Sequence, residues 1–340
     1  MTYNQYIILA LLLLAFGCGS NVVVEEVFEE KSYTVDAIKM GSAFAITVVA
    51  ADSVFAVASI EKAYTEIDRI ENLISSWNPD SETSRVNDMA GIESVIVSEE
   101  LFLLIERAMK VSALTGGAFD ISYASMDRIW KFDGSLTEMP EQEAIEQSVA
   151  KVNYQDIELN DATHSVFLKN EGMKIGFGGI GKGYAGNKAK SLLLSLGVTS
   201  GVVNAGGDLI AWGQKPNGQT WDVAIADPVN PKRSMGWLAI NDGAVVTSGN
   251  YERFAMIDGV RYAHIINPKT GIPVRDLKSV TILCPDAELA DALATGVFVL
   301  GKQVGLELIN KVKQVEGLLI TSENEILSSK GLSLNYYENE

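Results

Sequence analysis

The sequence predicts an α+β fold, in which mixed or antiparallel sheets are flanked by helices within one large domain over residues 33–340. Helical and strand-like segments do not alternate strictly along the chain, and this favours α+β over a doubly wound parallel sheet. The dipeptide Asp258-Gly259 between two apolar runs indicates an antiparallel hairpin. With 340 residues, of which 47% are hydrophobic, the chain can bury a large core.

The chain begins with the features of an export signal. Residues 7–16 form an apolar run that is too short to span a bilayer as a helix and has the length of a signal-peptide core. Ala15 and Gly17 precede Cys18 and resemble a lipobox, in which the cysteine becomes the lipidated first residue. We therefore expect residues 1–17 to be a signal peptide and the protein to be exported and anchored by lipid at Cys18 on the periplasmic side of a bacterial membrane. An ordinary secretory signal is the alternative.

Residues 18–32 are acidic and rich in valine, and they show no core periodicity. They are predicted to be a tether between the lipid and the domain. Once Cys18 is lipidated, Cys284 is the only remaining cysteine, so no disulfide is possible within one chain. Cys284 lies in an apolar, strand-like run and is expected to be a buried, inert thiol.

In the first third of the domain, residues 33–50 alternate enough to form a long strand or a hairpin, and residues 55–73 carry apolar side chains at helical spacing. Residues 75–91 are expected to be a loop. Ser98 is a candidate cap for a helix that ends at about Leu114.

In the middle of the chain, residues 157–159 and 166–168 flank a turn signal and predict a hairpin. Residues 173–175 look like a short strand. A helix is predicted from about residue 182 to residue 196, and Gly197 closes it because glycine readily adopts the left-handed conformation at a helix end.

The last part of the chain, residues 200–267, reads as strands and turns. A helix is predicted from Pro285-Asp286 to about Leu300, and a second helix covers roughly residues 302–313. Short strands finish the domain.

Residues 176–185, with the sequence G-F-G-G-I-G-K-G-Y-A, nearly match the phosphate-binding P-loop, G-x-x-x-x-G-K followed by Ser or Thr. Gly176, Gly181 and Lys182 have the right spacing, but Gly183 stands where the P-loop hydroxyl would hold Mg²⁺. Glycine backbone N–H groups, a helix N-terminus and the lysine charge all favour a phosphate. The alternative is a tight turn with a solvated lysine.

Asp291 and Thr295 are four residues apart on a predicted helix and therefore share one face. Their carboxylate and hydroxyl could fill two positions of an octahedral Mg²⁺. The alternative is an aspartate that faces water and a threonine that bonds to its own helix backbone.

His264 is a polar residue inside an apolar strand, just before the Asn267-Pro268 turn, and could serve as a general base near neutral pH. The alternative is a hydrogen-bonded histidine in the core or at a sheet edge. His164, the second histidine, is expected to be an exposed hairpin residue.

The formal net charge of −17 makes nucleic acid and anionic lipid unfavourable partners, because both are negatively charged. An anionic ligand would need a local cationic site, such as the one around Lys182. Polar, glycine-containing turns also occur at residues 204–208 and 247–253. The number of such turns favours loops that converge on one large ligand.

In their order along the chain, these segments resemble the ApbE family, flavin transferases that move FMN from FAD onto a protein Thr or Ser. The resemblance covers residues 35 to about 330. The matching segments are 40–42, 76–77, 81–87, 116–120, 178–185, 204–208, 247–253, 264–271 and 291–295.

The resemblance implies one site that binds FAD and Mg²⁺. Two positions depart from the family pattern: Gly176 stands where the family often has Asp, and Asn267 replaces a common Asp. The residues expected to contact FAD are Met40, Trp77, Ala118, Phe119, Asp120, Gly176, Lys182, His264 and Ile265. The residues expected to bind the metal are Asp291 and Thr295, through their side chains, and Gly179 and Ala294, through nearby carbonyls.

The resemblance further implies Mg²⁺-dependent transfer of FMN from FAD to a Thr or Ser hydroxyl through a phosphoester bond, with release of AMP and with Lys182 and His264 as catalytic residues. The acceptors it implies are subunits of membrane redox complexes, such as the Na⁺-translocating NADH:quinone reductase, or other exported flavoproteins. Three alternatives remain: an FAD pyrophosphatase that produces FMN and AMP, a non-catalytic exported FAD-binding lipoprotein, and a solute-binding lipoprotein.

Overall fold

The computed structural model describes residues 29–227, 233–250 and 254–335. The predicted signal peptide, Cys18 and residues 18–28 of the predicted tether lie outside the described residues, as do residues 251–253 of the 247–253 turn.

Strands and helices occur throughout the described part of the chain. The strands are β1 (Lys31–Lys39), β2 (Ser42–Ala50), β3 (Val95–Ile96), β4 (Ile157–Asn160), β5 (Ser165–Leu168), β6 (Gly201–Ala205), β7 (Asp208–Trp212), β8 (Trp221–Ala226), β9 (Ser234–Ile240), β10 (Asp242–Gly249), β11 (Phe254–Ile257), β12 (Val260–Ala263), β13 (Leu277–Cys284), β14 (Glu316–Thr321) and β15 (Ile326–Ser328). The α-helices are α1 (Ser53–Ile74), α2 (Glu82–Asp88), α3 (Glu99–Leu114), α4 (Gln142–Val149), α5 (Gly181–Ser195) and α6 (Ala287–Ile309).

The main sheet has eight strands in the order β1-β2-β6-β7-β10-β13-β14-β15, and every neighbouring pair in it is antiparallel. Smaller antiparallel sheets are β3-β5-β4, β8-β9 and β11-β12. The predicted α+β class is therefore confirmed, and the sheets are antiparallel.

The two faces of the main sheet are covered differently. Helices α1, α5 and α6 pack on one face, where Phe44, Ile46 and Ile282 are almost fully buried. The β8-β9 hairpin belongs to a second apolar cluster, in which Val223 packs with Val245 of β10. Alternate residues of the same strands serve the two clusters, as the two-residue period of a strand requires.

Helix α6 is a core helix, although its length and composition alone would allow it to cross a membrane. It packs against β10, β13 and α5, and half of its apolar window is buried inside the protein. At Gly301 the backbone has φ +77°, which breaks the helix into two segments. The predicted pair of helices around residue 301 is thus confirmed.

Most other predicted elements are also confirmed. Residues 33–50 form the β1-β2 hairpin, Ser98 caps α3, and Gly197 follows α5 with φ +91°. The hairpins at Asp258-Gly259 and at residues 157–168 are present as well.

Two predictions were wrong. Residues 75–91 are not only a loop, because they contain α2, where the Ser81 hydroxyl accepts the backbone N–H of Ser84 at 2.9 Å. Residues 173–175 are not a strand. The side chain of Asn87 takes the place of a neighbouring strand there: it accepts the N–H of Ile175 at 2.7 Å and donates to its carbonyl at 3.0 Å.

Candidate functional site

The candidate site lies at the end of the main sheet where the β1-β2 turn, the start of α5 and the β6-β7 turn meet. A Cβ placed on Gly181 would lie 3.5 Å from the terminal methyl of Met40. A Cβ placed on Gly206 would lie 2.9 Å from Cβ of Ser42 and 3.7 Å from Cδ of Lys182. Three glycine-containing segments that are far apart in sequence are therefore packed against one another.

The glycine-rich loop is also fastened to Tyr123, which the sequence did not single out. The Gly178 N–H donates to the Tyr123 hydroxyl at 3.2 Å. Partial burial and the negative charge of Asp291 raise the pKa of Tyr123, so the phenol stays neutral. A Cβ on Gly176 would lie 3.0 Å from Cβ of Ala124, so any larger side chain at position 176 would press against that residue.

Asp291 faces the start of α5 from α6. Its carboxylate is almost fully buried and accepts the N–H of Gly183 at 3.1 Å. Burial raises its pKa, while the charge of Lys182 and backbone hydrogen bonds act in the opposite direction. The helix N-terminus and the lysine charge stabilise the ionised form of this buried carboxylate.

Thr295, one turn further along α6, meets the glycine-rich loop directly. A Cβ on Gly179 would lie 3.0 Å from Oγ1 of Thr295 and 3.5 Å from Cε2 of Phe119. Ala294, beside Thr295, is fully buried. Gly179 therefore lies against Thr295, while Asp291 of the same helix contacts the start of α5 at Gly183.

The oxygen groups at this place fit a magnesium ion. Mg²⁺ prefers carboxylate, hydroxyl and carbonyl oxygens and is often bound through only one or two carboxylates. Asp291 and Thr295 supply the first two kinds beside the Gly179 backbone. Within residues 29–227, 233–250 and 254–335, no group of three or more His, Cys, Asp or Glu residues could hold a metal ion, so a metal here would need backbone oxygens.

Lys182 forms an ion pair with Asp208, and the carboxylate of this pair is only 1% exposed. Asp208 is a functional candidate without a role in the sequence-based prediction, although it ends the Asn204-Ala-Gly-Gly-Asp208 turn. Lys182 is the second residue of α5, so the ion pair joins the start of this helix to the β6-β7 turn.

The turn at residues 115–120 borders the same site. Phe119 is buried, and its N–H donates to Oγ1 of Thr115 at 3.1 Å. Asp120 accepts the N–H of Ser122 at 2.8 Å and the N–H of Tyr154 at 2.9 Å, and burial raises its pKa. Ala118 is buried in this turn. Asp120 therefore organises the turn through its own hydrogen bonds.

Trp77 stands at the rim with 74% of its surface exposed. The guanidinium carbon of Arg128 lies 3.8 Å from the centre of the Trp77 ring, within the range of a cation–π contact. Arg128 is another residue at this rim that the sequence did not identify.

His264 and Ile265 lie in a neighbouring turn. The ring of His264 is half-buried and meets the ring of Phe132 edge-on, with 6.5 Å between centroids. Cε of Lys269 lies 3.3 Å from a Cβ placed on Gly117, so this turn contacts the 115–120 turn. The structure thus gathers Gly179, Lys182, Asp291 and Thr295 directly, and joins the His264 segment to them through residues 115–120.

His164, by contrast, lies in the β4-β5 hairpin, as predicted. Its backbone has φ +49°, and its ring packs against Phe102 with 5.2 Å between centroids. The residue is half-buried rather than exposed, because α3 covers one side of the hairpin.

The fold and the site together define a class of α+β protein. In this class, the glycine-rich start of a helix carries a lysine and packs against a buried carboxylate. The chain belongs to the ApbE family, whose sequence profile matches residues 40–319.

The chain is similar to curated and solved members of this family. It is 32% identical to the FAD:protein FMN transferase of Treponema pallidum over 290 residues, which cover 81% of this chain and 80% of the relative. It is 28% identical to the enzyme of that name from Escherichia coli K12 over 334 residues, which cover 96% and 94%. The ApbE protein of Thermotoga maritima superposes with a TM-score of 0.81 at 32% identity and covers 88% of this chain and 97% of its own.

Proposed function

We propose that this protein transfers the FMN moiety of FAD to a threonine or serine hydroxyl of a target protein and releases AMP. Curated relatives that match most of the chain are named FAD:protein FMN transferase, which supports flavin transfer. The observation that carries the proposal is the convergence of Gly179, Lys182, Asp291 and Thr295 at one helix N-terminus.

In the proposed reaction, the acceptor hydroxyl oxygen forms a bond to the phosphorus on the FMN side of FAD. The bond from that phosphorus to the bridging oxygen breaks, and AMP leaves with this oxygen. The hydroxyl proton passes to His264 acting as general base. The products are a phosphoester-linked FMN on the acceptor and free AMP.

The start of α5 is the proposed place of the FAD pyrophosphate. The dipole of the helix and the charge of Lys182 favour a negatively charged group there. Asp208 orients Lys182 through the buried ion pair. The N–H groups of Gly181 and Gly183 already donate to the Phe177 carbonyl and to Asp291, so the Lys182 side chain is the candidate phosphate partner at this turn.

The rest of FAD would extend over the rim of this site. Met40 packs beside Gly181 at the start of α5, and the exposed ring of Trp77 offers a flat face that can stack on adenine or flavin. The proposed FAD contacts also include Ala118, Phe119, Asp120, Gly176, His264 and Ile265.

Magnesium would be held by the side chains of Asp291 and Thr295 and by carbonyls near Gly179 and Ala294. When bound, it would neutralise charge on the pyrophosphate and on the departing AMP.

The test incubates the full chain with FAD, MgCl₂ and a candidate acceptor protein, and follows the acceptor by mass spectrometry and AMP by chromatography. The expected result is an FMN adduct on one acceptor Thr or Ser together with an equal amount of AMP. AMP that forms without an adduct would show an FAD pyrophosphatase, and FAD that stays intact would show a flavin-binding protein. An H264A variant that reacts like the parent would remove His264 from the mechanism.

We also propose that the protein is exported and lipid-anchored at Cys18, and that its acceptors are exported flavoproteins or subunits of membrane redox complexes. The lipobox-like sequence before Cys18 supports the anchor. Mass spectrometry of the N-terminal peptide checks it: a diacylglyceryl group on Cys18 is expected, and a C18S variant is expected to leave the membrane fraction.

A further inference from the structure

The β1-β2 hairpin gives the domain two distinct ends. At one end Lys39 pairs with Ser42, next to Met40 and the candidate site. At the other end Lys31 pairs with Ala50. Each strand has nine residues, so the two ends are roughly 30 Å apart at about 3.3 Å per residue.

The end far from the site carries exposed apolar side chains, which we call the apolar tip: Val54, Phe55, Val57 and Leu194. The first three lie at the start of α1, directly after β2, and are 75%, 39% and 39% exposed. Leu194, in the last turn of α5, is 47% exposed.

Helix packing places Leu194 at the same end as the start of α1. A Cβ on Gly181, the first residue of α5, would lie 3.0 Å from Cδ1 of Ile74, the last residue of α1. The two helices therefore run antiparallel. Helix α5 has 15 residues and α1 has 22, so α5 ends about 10 Å short of the first turn of α1. The chain directly after α5 reaches the tip end, where the N–H of Val49 donates to the carbonyl of Ser200 at 2.9 Å.

We propose that the apolar tip rests on the surface of the lipid bilayer, so that the candidate site faces away from the membrane. This proposal rests on the proposed lipid anchor at Cys18. Twelve residues, and thus thirteen Cα–Cα steps, separate Cys18 from Lys31, where the chain enters the domain at the tip end. At most about 3.5 Å per residue, this segment keeps the tip within roughly 45 Å of the anchored lipid.

A tether of this length gives the tip a high local concentration near the bilayer, so a small apolar contact is enough to orient the domain. Electrostatic attraction is not the source of the contact, because the chain carries a net charge of −17 and residues 18–32 are acidic. Apolar side chains at the headgroup boundary supply the contact instead. It should therefore form on zwitterionic lipid and should not require anionic lipid.

The orientation sets a condition on the protein acceptor. Its hydroxyl must reach a site that stands roughly 30 Å above the tip, the length of a nine-residue hairpin. Acceptor residues on domains that project from the membrane meet this condition, whereas residues at the bilayer surface do not.

The test uses the full-length lipidated protein in phosphatidylcholine vesicles that contain nitroxide-labelled lipid. Variants V54C, L194C and I38C each carry one environment-sensitive fluorophore, because Cys18 is acylated and Cys284 is buried. Ile38 is the matched control, since it is 74% exposed but lies near the β1-β2 turn at the site end. Fluorescence at positions 54 and 194 is expected to fall by about twofold or more, and fluorescence at position 38 to stay unchanged.

A second variant keeps the proposal open to refutation. V54E/V57E is expected to abolish quenching at position 194 while transfer to a soluble acceptor stays unchanged, because neither residue belongs to the candidate site. Equal quenching at positions 38 and 54, or none at 54, would overturn the orientation. Shielding of position 54 without lipid quenching, together with dimers in cross-linking, would show that a second copy covers the tip and would also overturn it. Quenching needs no FAD, so its result is separate from that of the transfer reaction.

Discussion

Thr295 would contribute a single oxygen atom, its hydroxyl, to the candidate metal site. A Cβ placed on Gly179 would lie 3.0 Å from the hydroxyl oxygen of Thr295 and 3.3 Å from its methyl carbon. Both branches of the Thr295 side chain therefore pack against this glycine. A substitution that keeps the shape of the side chain can therefore test the oxygen separately from the packing.

We predict that T295V raises the Mg²⁺ concentration needed for half-maximal transfer by about tenfold or more, since valine keeps the shape but removes one oxygen ligand. T295S is the matched control and should behave nearly like the parent. The measurement is initial transfer rate against Mg²⁺ after removal of bound metal with EDTA. Equal Mg²⁺ dependence for T295V and T295S would exclude the hydroxyl as a ligand.

At the residue scale, the sequence predicted side chains that carry recognisable chemistry and missed those that act through a distant partner. Asp291 and Thr295 were named because their spacing places them on one helix face and because the resemblance to the ApbE family implies a metal there. Tyr123 and Arg128 were missed because each is defined by its partner, Gly178 or Trp77, about fifty residues away. Only the folded chain brings such pairs together.

At the scale of helices, Gly183 explains why the nearly matching P-loop has no hydroxyl. A Cβ at this position would lie 2.1 Å from the carbonyl oxygen of Ala287. Helix α6 packs so closely on the start of α5 that any side chain at 183 would push the two helices apart. The glycine therefore permits the approach that places Asp291 at the helix start.

We predict that G183A lowers stability by about 1–3 kcal/mol, the usual cost of overpacking a tight core. The obstacle at Gly183 is backbone, which cannot turn aside. G186A, three residues further along α5, is the control, because its Cβ would meet the end of the Ile210 side chain, which can adjust. Urea unfolding followed by circular dichroism measures both, and equal losses would show that the backbone contact is not limiting.

Glu100 joins three helices through charge. Its carboxylate, on α3, accepts from Arg69 of α1 at 2.7 Å, and from Tyr184 and Lys188 of α5 at 2.7 and 2.9 Å. The hydrogen bond from Arg69 is the main reason that the pKa of Glu100 falls to about 2. The cluster contains none of the residues proposed to bind FAD or metal, so its effect is expected on folding.

We predict that E100Q lowers stability by about 1 kcal/mol at pH 7, in the range of a partly exposed ion-pair network. The folded pKa lies below the ordinary value of 4.5, so this contribution is fully present above about pH 4.5 and is lost as the pH falls toward 2. The difference between parent and variant should therefore shrink on acidification. Unfolding curves at pH 7, 5 and 3 test this, and a constant difference would contradict it.

Elements were predictable where the pattern is long. Local sequence patterns predict α1, α3 and the turn at Asp258-Gly259, so these elements could be identified without knowledge of the tertiary structure. The short, polar α2 was missed because only its cap at Ser81 marks it. The apparent strand at residues 173–175 failed because its hydrogen bonds go to a side chain rather than to another strand.

At the scale of the whole molecule, the candidate site is assembled from segments that span most of the domain, from Met40 to Thr295. The sequence predicted the fold class and the family from the order of these segments. The sequence could not predict the distance between the site and the apolar tip. This distance follows from the register and length of the β1-β2 hairpin, which only the structure shows.

This assembly makes FAD binding and global stability depend on each other. A ligand that binds only the folded protein stabilises it by RT ln(1 + [L]/Kd), which is about 2.7 kcal/mol at one hundred times Kd. Because unfolding of either half removes part of the site, FAD should raise the midpoint of the whole unfolding transition rather than of one segment. We predict that FAD with Mg²⁺ raises Tm of the parent, and that Mg²⁺ adds less to this rise in T295V. Differential scanning calorimetry across a range of FAD concentrations measures the effect; a rise confined to one of two separate transitions would show that FAD is held by only part of the domain.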